Sequence, residues 1–98
     1  MGAIKTQGAV EGRDGALAAF RDEGCSLPRS WGNQPGDTYG RHSHGFHKVL
    51  FCLSGSIVFH ADEGDIELVP GDRLDVEAGT DHAATVGGQG VECVEAWR

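Results

Sequence analysis

Apolar and polar residues alternate in short stretches from residue 39 onward, and turn-forming residues interrupt the alternation every few positions. The pattern predicts strands over Tyr39 to His44, Lys48 to Leu53, Ser56 to Ala61, Asp65 to Val69, Leu74 to Val76, Ala83 to Val86 and Val91 to Trp97. A run of short strands with no helix between them predicts a sandwich or barrel, here over residues 39–97. Ahead of it, DGALAAFRDE (residues 14–23) places Leu17 and Phe20 three apart among alanines, the mark of one short amphipathic helix. Asp14 is positioned to cap its start, and Gly24 to end it in the left-handed conformation. So short a helix does not stand alone in water, so its apolar face must lie on something else. Residues 25–38 read as a loop rich in turn formers. Residues 1–13 carry no pattern and read as loose chain or a short edge strand.

The stretch from Lys48 to Leu53 is apolar on both faces: Leu50 and Cys52 follow Lys48 on one, and Val49, Phe51 and Leu53 make the other. One face then lines the barrel, and the other must meet the N-terminal helix or a second subunit.

Composition narrows the function. The 98 residues are one domain with a modest core. Fifteen acids against eight Lys and Arg give a net charge of -7, which argues against a nucleic-acid backbone as partner. No apolar run approaches the roughly 18 residues of a membrane span. The N-terminus lacks the charged and apolar regions of a secretion signal. MGAIKT does match the N-myristoylation pattern, a six-residue match that is common by chance. Cys25, Cys52 and Cys93 are odd in number and widely spaced, and the last two sit in apolar strands as small hydrophobes. A disulfide framework is not expected, and a reducing cytoplasm fits best.

The candidate chemistry lies in HSHGFHKVLFCLSG, residues 42–55. His42 and His44 are two apart, so in a strand both imidazoles point to one side, within reach of one ion. Imidazole suits zinc, iron, nickel and copper at neutral pH. Two donors hold a metal weakly, and His82, after AGTD at the start of another strand, is the best third. His47 has the opposite parity and belongs in the turn, either supporting the site or solvated. His60 reads as a surface residue.

The residues from Gly36 to Gly55 resemble the first motif of the cupins: Gly36, five residues, His42-Ser43-His44, three residues, a position normally Glu, six residues, Gly55. Gly71-Asp72, then Val76-Glu77-Ala78-Gly79, two residues and His82 resemble the second. With the strands beyond, the resemblance covers about 60 residues, and both motifs stand in order and in spacing. It implies a small single-domain cupin: an all-β, antiparallel double-stranded barrel (a jelly roll) with one N-terminal helix. Such barrels are usually homodimeric, with the metal and any small-molecule substrate in the mouth. His42, His44 and His82 match the family's three histidine ligands, for iron, nickel, zinc or manganese. Three positions depart from the pattern: Lys48 replaces the glutamate ligand, Glu77 the proline of the second motif, and Val86 the asparagine that often follows the last histidine. Glu77 is harmless, because that proline only stiffens a turn.

Lys48 is not. An ammonium about 5 Å from a divalent ion is repelled by roughly 6–7 kcal/mol at an effective dielectric near 20. Three readings survive. The histidines hold the metal alone and Lys48 turns to an acid, Glu77 or Glu95, or to solvent; or Lys48 is neutral and acts as a base or ligand; or no metal binds and Lys48 holds a carboxylate. The candidate pocket is Lys48, Tyr39, His47, Leu50 and Cys52, with Cys52 and Tyr39 also readable as packing. Trp31 and Trp97 read as core or interface anchors. Function then divides between a metal-dependent oxygenase or isomerase acting on a small anion, a non-catalytic ligand-binding or sensing module, and a barrel that only dimerises.

Overall fold

The computed structural model describes residues 2–98. Its elements are β1 (Ala3–Thr6), α1 (Arg13–Asp22), β2 (Arg29–Asn33), β3 (Thr38–His42), β4 (Lys48–Ala61), β5 (Gly64–Leu68), β6 (Arg73–Val76) and β7 (His82–Trp97). All strand pairings are antiparallel. The expected class is therefore found: an all-β chain with one short helix.

Four expectations change. The two strands expected on either side of Gly55 are one, β4, and the two expected after His82 are one, β7. Each is long because it serves two neighbourhoods in turn. Residues 48–51 of β4 pair with β6, and residues 57–61 pair with β5, while β7 runs beside both halves. Register shifts between Cys52 and Ser54 and between Gly55 and Ile57 mark where the strand bends. The segment 25–38 holds a strand, β2, which pairs with the end of β7 from Arg29↔Glu95 to Asn33↔Val91. Short polar edge strands leave little periodic signal. The strand carrying the first histidine stops at His42, so His44 sits in the following turn. The helix begins one residue early, with Gly12 at its cap and no side-chain cap hydrogen bond; Asp14 lies in the first turn instead. Gly24 follows the helix at φ 70°, as expected. Residues 3–6 form the edge strand β1, on β6. No helix among the described residues is long and apolar enough to cross a membrane.

The two faces of β4 bury different things. Leu50, Cys52, Ile57 and Phe59 join Leu68 and Leu74 in the interior. Val49 and Phe51 pack instead with Val94, Ala96 and the helix residues Ala16 and Phe20. Phe20 meets Phe51 edge-to-face at 5.2 Å. The second apolar face of β4 is thus covered by α1. Arg73 fastens the end of α1 to the sheet, donating to Glu23 at 2.5 and 2.8 Å and to Asp75 at 2.8 and 3.1 Å.

Asp72, from the second motif, is 1% exposed. Its Oδ1 accepts the Gly8 N–H at 2.9 Å and its Oδ2 the Val69 N–H at 3.0 Å, with Lys5 Nζ 3.5 Å away. Burial raises its pKa, but the two N–H donors and Lys5 outweigh burial and hold it below the usual carboxylate value. Its contribution to stability is therefore present above the unfolded carboxylate range and lost as pH falls through the lowered folded value. An amide has one acceptor oxygen where two N–H groups need one each. Asp72→Asn is accordingly expected to cost about 1–3 kcal/mol in urea denaturation at neutral pH, and the deficit should shrink in acid.

Candidate metal centre and cavity

β3 and β7 lie side by side with His42 opposite His82 in register, which brings two imidazoles together from distant parts of the chain. The turn after β3 supplies the third. His44 is held there by its carbonyl, which accepts the Gly79 N–H at 2.8 Å, and by Phe46, stacked on its ring at 5.2 Å. Phe46 rests in turn on Trp97. One ring nitrogen from each of His42, His44 and His82 lies within 4.8 Å of the other two, so the three could hold one metal ion.

Hydrogen bonding sets the imidazoles for that task. His42 Nδ1 lies 2.7 Å from the Gly40 carbonyl and His82 Nδ1 2.9 Å from the Thr80 carbonyl. A carbonyl only accepts, so both Nδ1 atoms carry the proton and both Nε2 atoms keep a free lone pair. Burial, reinforced by neighbouring cationic groups that include Lys48 and His42, lowers the pKa of both His44 and His82 and favours the neutral, ligating form. His44 Nε2 is buried with no hydrogen-bond partner among the described residues. Burying an unsatisfied polar atom costs about 1–3 kcal/mol, and a metal ion is the partner this donor set fits.

The histidines open on a cavity of about 330 Å³. Leu50, Phe59, Val76 and Ala84 give it an apolar wall, and Lys48, Tyr39, Trp31, Arg29 and Glu95 line it with them. Of the residues expected at the pocket, Lys48, Tyr39 and Leu50 line it. His47 and Cys52 do not. His47 faces the other side of the sheet, where its Nε2 lies 2.8 Å from Asp75. Its carbonyl accepts the Arg98 N–H at 3.0 Å, so it pins the turn that bears His44. Cys52 is fully buried in the core, opposite Cys93. His60 faces outward and bonds Asp65 and Thr85.

Lys48 does turn to an acid. Its Nζ lies 3.4 Å from Glu95 Oε1, both side chains being largely buried, and the same oxygen accepts the Trp31 indole N–H at 2.7 Å. Tyr39 lies edge-on to Trp31 at 5.8 Å and donates its hydroxyl proton to Asn33. Trp31 is thus part of the cavity wall. Arg29 and Phe46 carried no sequence signal; the first stands in a segment read as loop, the second in a turn.

Comparison with known proteins agrees with this geometry. The cupin domain profile matches residues 31–95, about two thirds of the chain, and the chain belongs to the cupin family. A cupin superfamily protein from Desulfitobacterium hafniense is similar over 97% of this chain and 75% of its own, at TM-score 0.67 and 19% identity. A conserved protein of unknown function from Streptococcus pyogenes is similar at TM-score 0.65 and 20% identity, covering 71% of this chain, which spans 60% of the length of that one. A structure of DMSP lyases is similar at TM-score 0.63 and 30% identity over 72% of this chain, but only 36% of the lyase chain is covered. No curated protein matches.

Proposed function

We propose that this cupin binds a divalent metal (iron, nickel, zinc or manganese) through His42, His44 and His82, and acts on a small anionic organic molecule in the barrel cavity as an oxygenase or isomerase. The observation that carries the reading is the buried, partnerless His44 Nε2 within a cluster of three imidazoles. A metal there would act as a Lewis acid on a bound oxygen and orient the substrate, the three neutral ligands leaving its charge uncompensated. The protein's own part is to keep His42 and His82 in one tautomer, to fix His44 through Gly79 and Phe46, and to give the substrate an apolar wall. Similarity to DMSP lyases supports an enzyme on this barrel.

Lys48 favours a second reading. Its ammonium is committed to Glu95, so it is not placed as a free acid or base, and a sensing module that binds an acid without turnover needs none. The pair also eases the repulsion: Glu95 offsets part of the charge of Lys48 as seen from the histidines. Glu95→Gln should therefore weaken zinc binding to the purified protein, by about tenfold or more, whereas Lys48→Met should leave it equal or tighter. Competition against a chromophoric chelator reads both.

Elemental analysis of protein purified without tag or chelator tests the proposal. Near one equivalent of metal per chain supports it. Less than a tenth, unchanged after metal is added back, overturns it, and the cavity is then a metal-free ligand pocket.

A further inference from the structure

Of the eight Lys and Arg residues in the chain, Lys5, Arg13, Arg41, Lys48, Arg73 and Arg98 make ion pairs. Among the described residues, Arg21 and Arg29 make none. Arg21 is exposed in the last turn of the helix, where its charge suits the helix dipole. Arg29 lines the cavity. Arg29 is exposed as well, but it stands at a cavity wall, where an unpaired guanidinium is open to a ligand. Its cross-strand neighbour sharpens the point. Arg29 is in register with Glu95, yet the glutamate is turned to Lys48 and Trp31, and no ion pair joins it to the arginine. Among the described residues the donors of Arg29 thus meet no acid, beside a cavity whose other cation, Lys48, is already paired with Glu95.

We infer that Arg29 is the anion-binding residue of the cavity, and that the ligand is a small monocarboxylic acid with an apolar body. This rests on reading the cavity as the ligand site and deepens it, by moving the anion contact from Lys48 to Arg29. A guanidinium takes a carboxylate through two parallel N–H bonds, which a compact ammonium does not do. The apolar body follows from the walls. Leu50, Phe59, Val76 and Ala84 offer no polar side-chain atoms, and the polar tips of Trp31 and Tyr39 are spent on Glu95 and Asn33. The volume, about 330 Å³, is at the small end of ligand cavities. The three-histidine end of the cavity is left for a second polar group of the same molecule.

The test compares an acid with its isosteric amide, 3-phenylpropionate against 3-phenylpropanamide, by amide and indole NMR titration of the full chain. It is run on the protein as purified and again after chelation. In both states the acid should bind about tenfold or more tighter than the amide, shifting the Trp31 indole N–H. In Arg29→Gln the preference should fall to about twofold or less, while Arg29→Lys, which keeps the charge but loses the fork, should fall between. Arg29 is exposed on an edge strand, so the variants should keep the wild-type pattern of resonances elsewhere. A preference that survives in chelated Arg29→Gln assigns the anion to Lys48 and overturns the inference; so does wild type that binds both ligands equally or neither. The results on chelated protein do not depend on metal content, so the inference can fail while the three-histidine centre stands, and the reverse.

Discussion

Replacing His44 with alanine is expected to strip the protein of its metal, from near one equivalent per chain to below about a tenth after desalting. Three imidazoles converge to within 4.8 Å, and removing one leaves a pair that holds an ion only weakly. Losing even a supporting partner of a ligand costs about 10–100-fold in affinity, so losing the ligand itself should cost at least the upper figure. Folding should be spared or slightly improved in the metal-free state, because the variant also removes the orphaned Nε2. The same cluster predicts a pH dependence. Burial first, and neighbouring positive charge second, lower the pKa of His44 and His82. In the metal-free protein both rings should therefore stay neutral below the ordinary histidine value and protonate only in more acid solution. Their contribution to stability is present above that ordinary value and lost as pH falls through the lowered ones. NMR titration of the imidazole protons of chelated protein reads this directly; titration of both rings at or above the ordinary value would contradict it.

The largest loss of stability from a single added methyl group should come at Gly55, in the bend of β4. Its φ is +69°, and a Cβ built there would lie 1.9 Å from the Gly90 carbonyl oxygen and 3.1 Å from the Val91 Cα. Two costs add. A left-handed conformation disfavours any side chain by about 1–2 kcal/mol, and overpacking against backbone that cannot step aside costs about 1–3 kcal/mol more. Gly55→Ala should therefore lose about 2–5 kcal/mol in chemical denaturation, the sum of those two terms. Gly40→Ala is the control. Nothing lies within 4 Å of a Cβ there and its φ is not positive, so the change should be small.

Much of this was legible in the sequence because the motif positions have local causes. Gly55 stands where two long strands must cross closely, Asp72 where a turn needs two N–H acceptors, and His42 and His82 where two strands run in register. Spacing alone carries such features. The alternation in Lys48 to Leu53 likewise announced a strand covered on both sides, and α1 supplies the second cover. What stayed hidden depends on partners far away in the chain. β4 and β7 read as two strands each because glycine and polar residues punctuate them at bends that only the neighbouring strands explain. β2 reads as loop because an exposed edge strand needs no apolar face. His47 could be placed in a turn, but its bond to Asp75 needs the sheet to exist first. Of the two acids offered as partners for Lys48, parity alone did not choose; the diagonal across β4 and β7 chose Glu95.

The long pairing of β4 with β7 also sets when this protein can acquire its shape. Lys48 pairs with Trp97 at one end and Ala61 with His82 at the other, so the central strand cannot meet its principal neighbour until residues 82–97 have left the ribosome. Until then Val49, Leu50, Phe51 and Cys52 have nothing opposite on the side away from β6, an open apolar edge of the kind on which nascent chains aggregate. Assembly should be correspondingly slow, in the millisecond-to-second range of strand-rich topologies. Production in the cell should thus respond more to chaperone supply and to the rate of synthesis than the stability of the finished barrel would suggest.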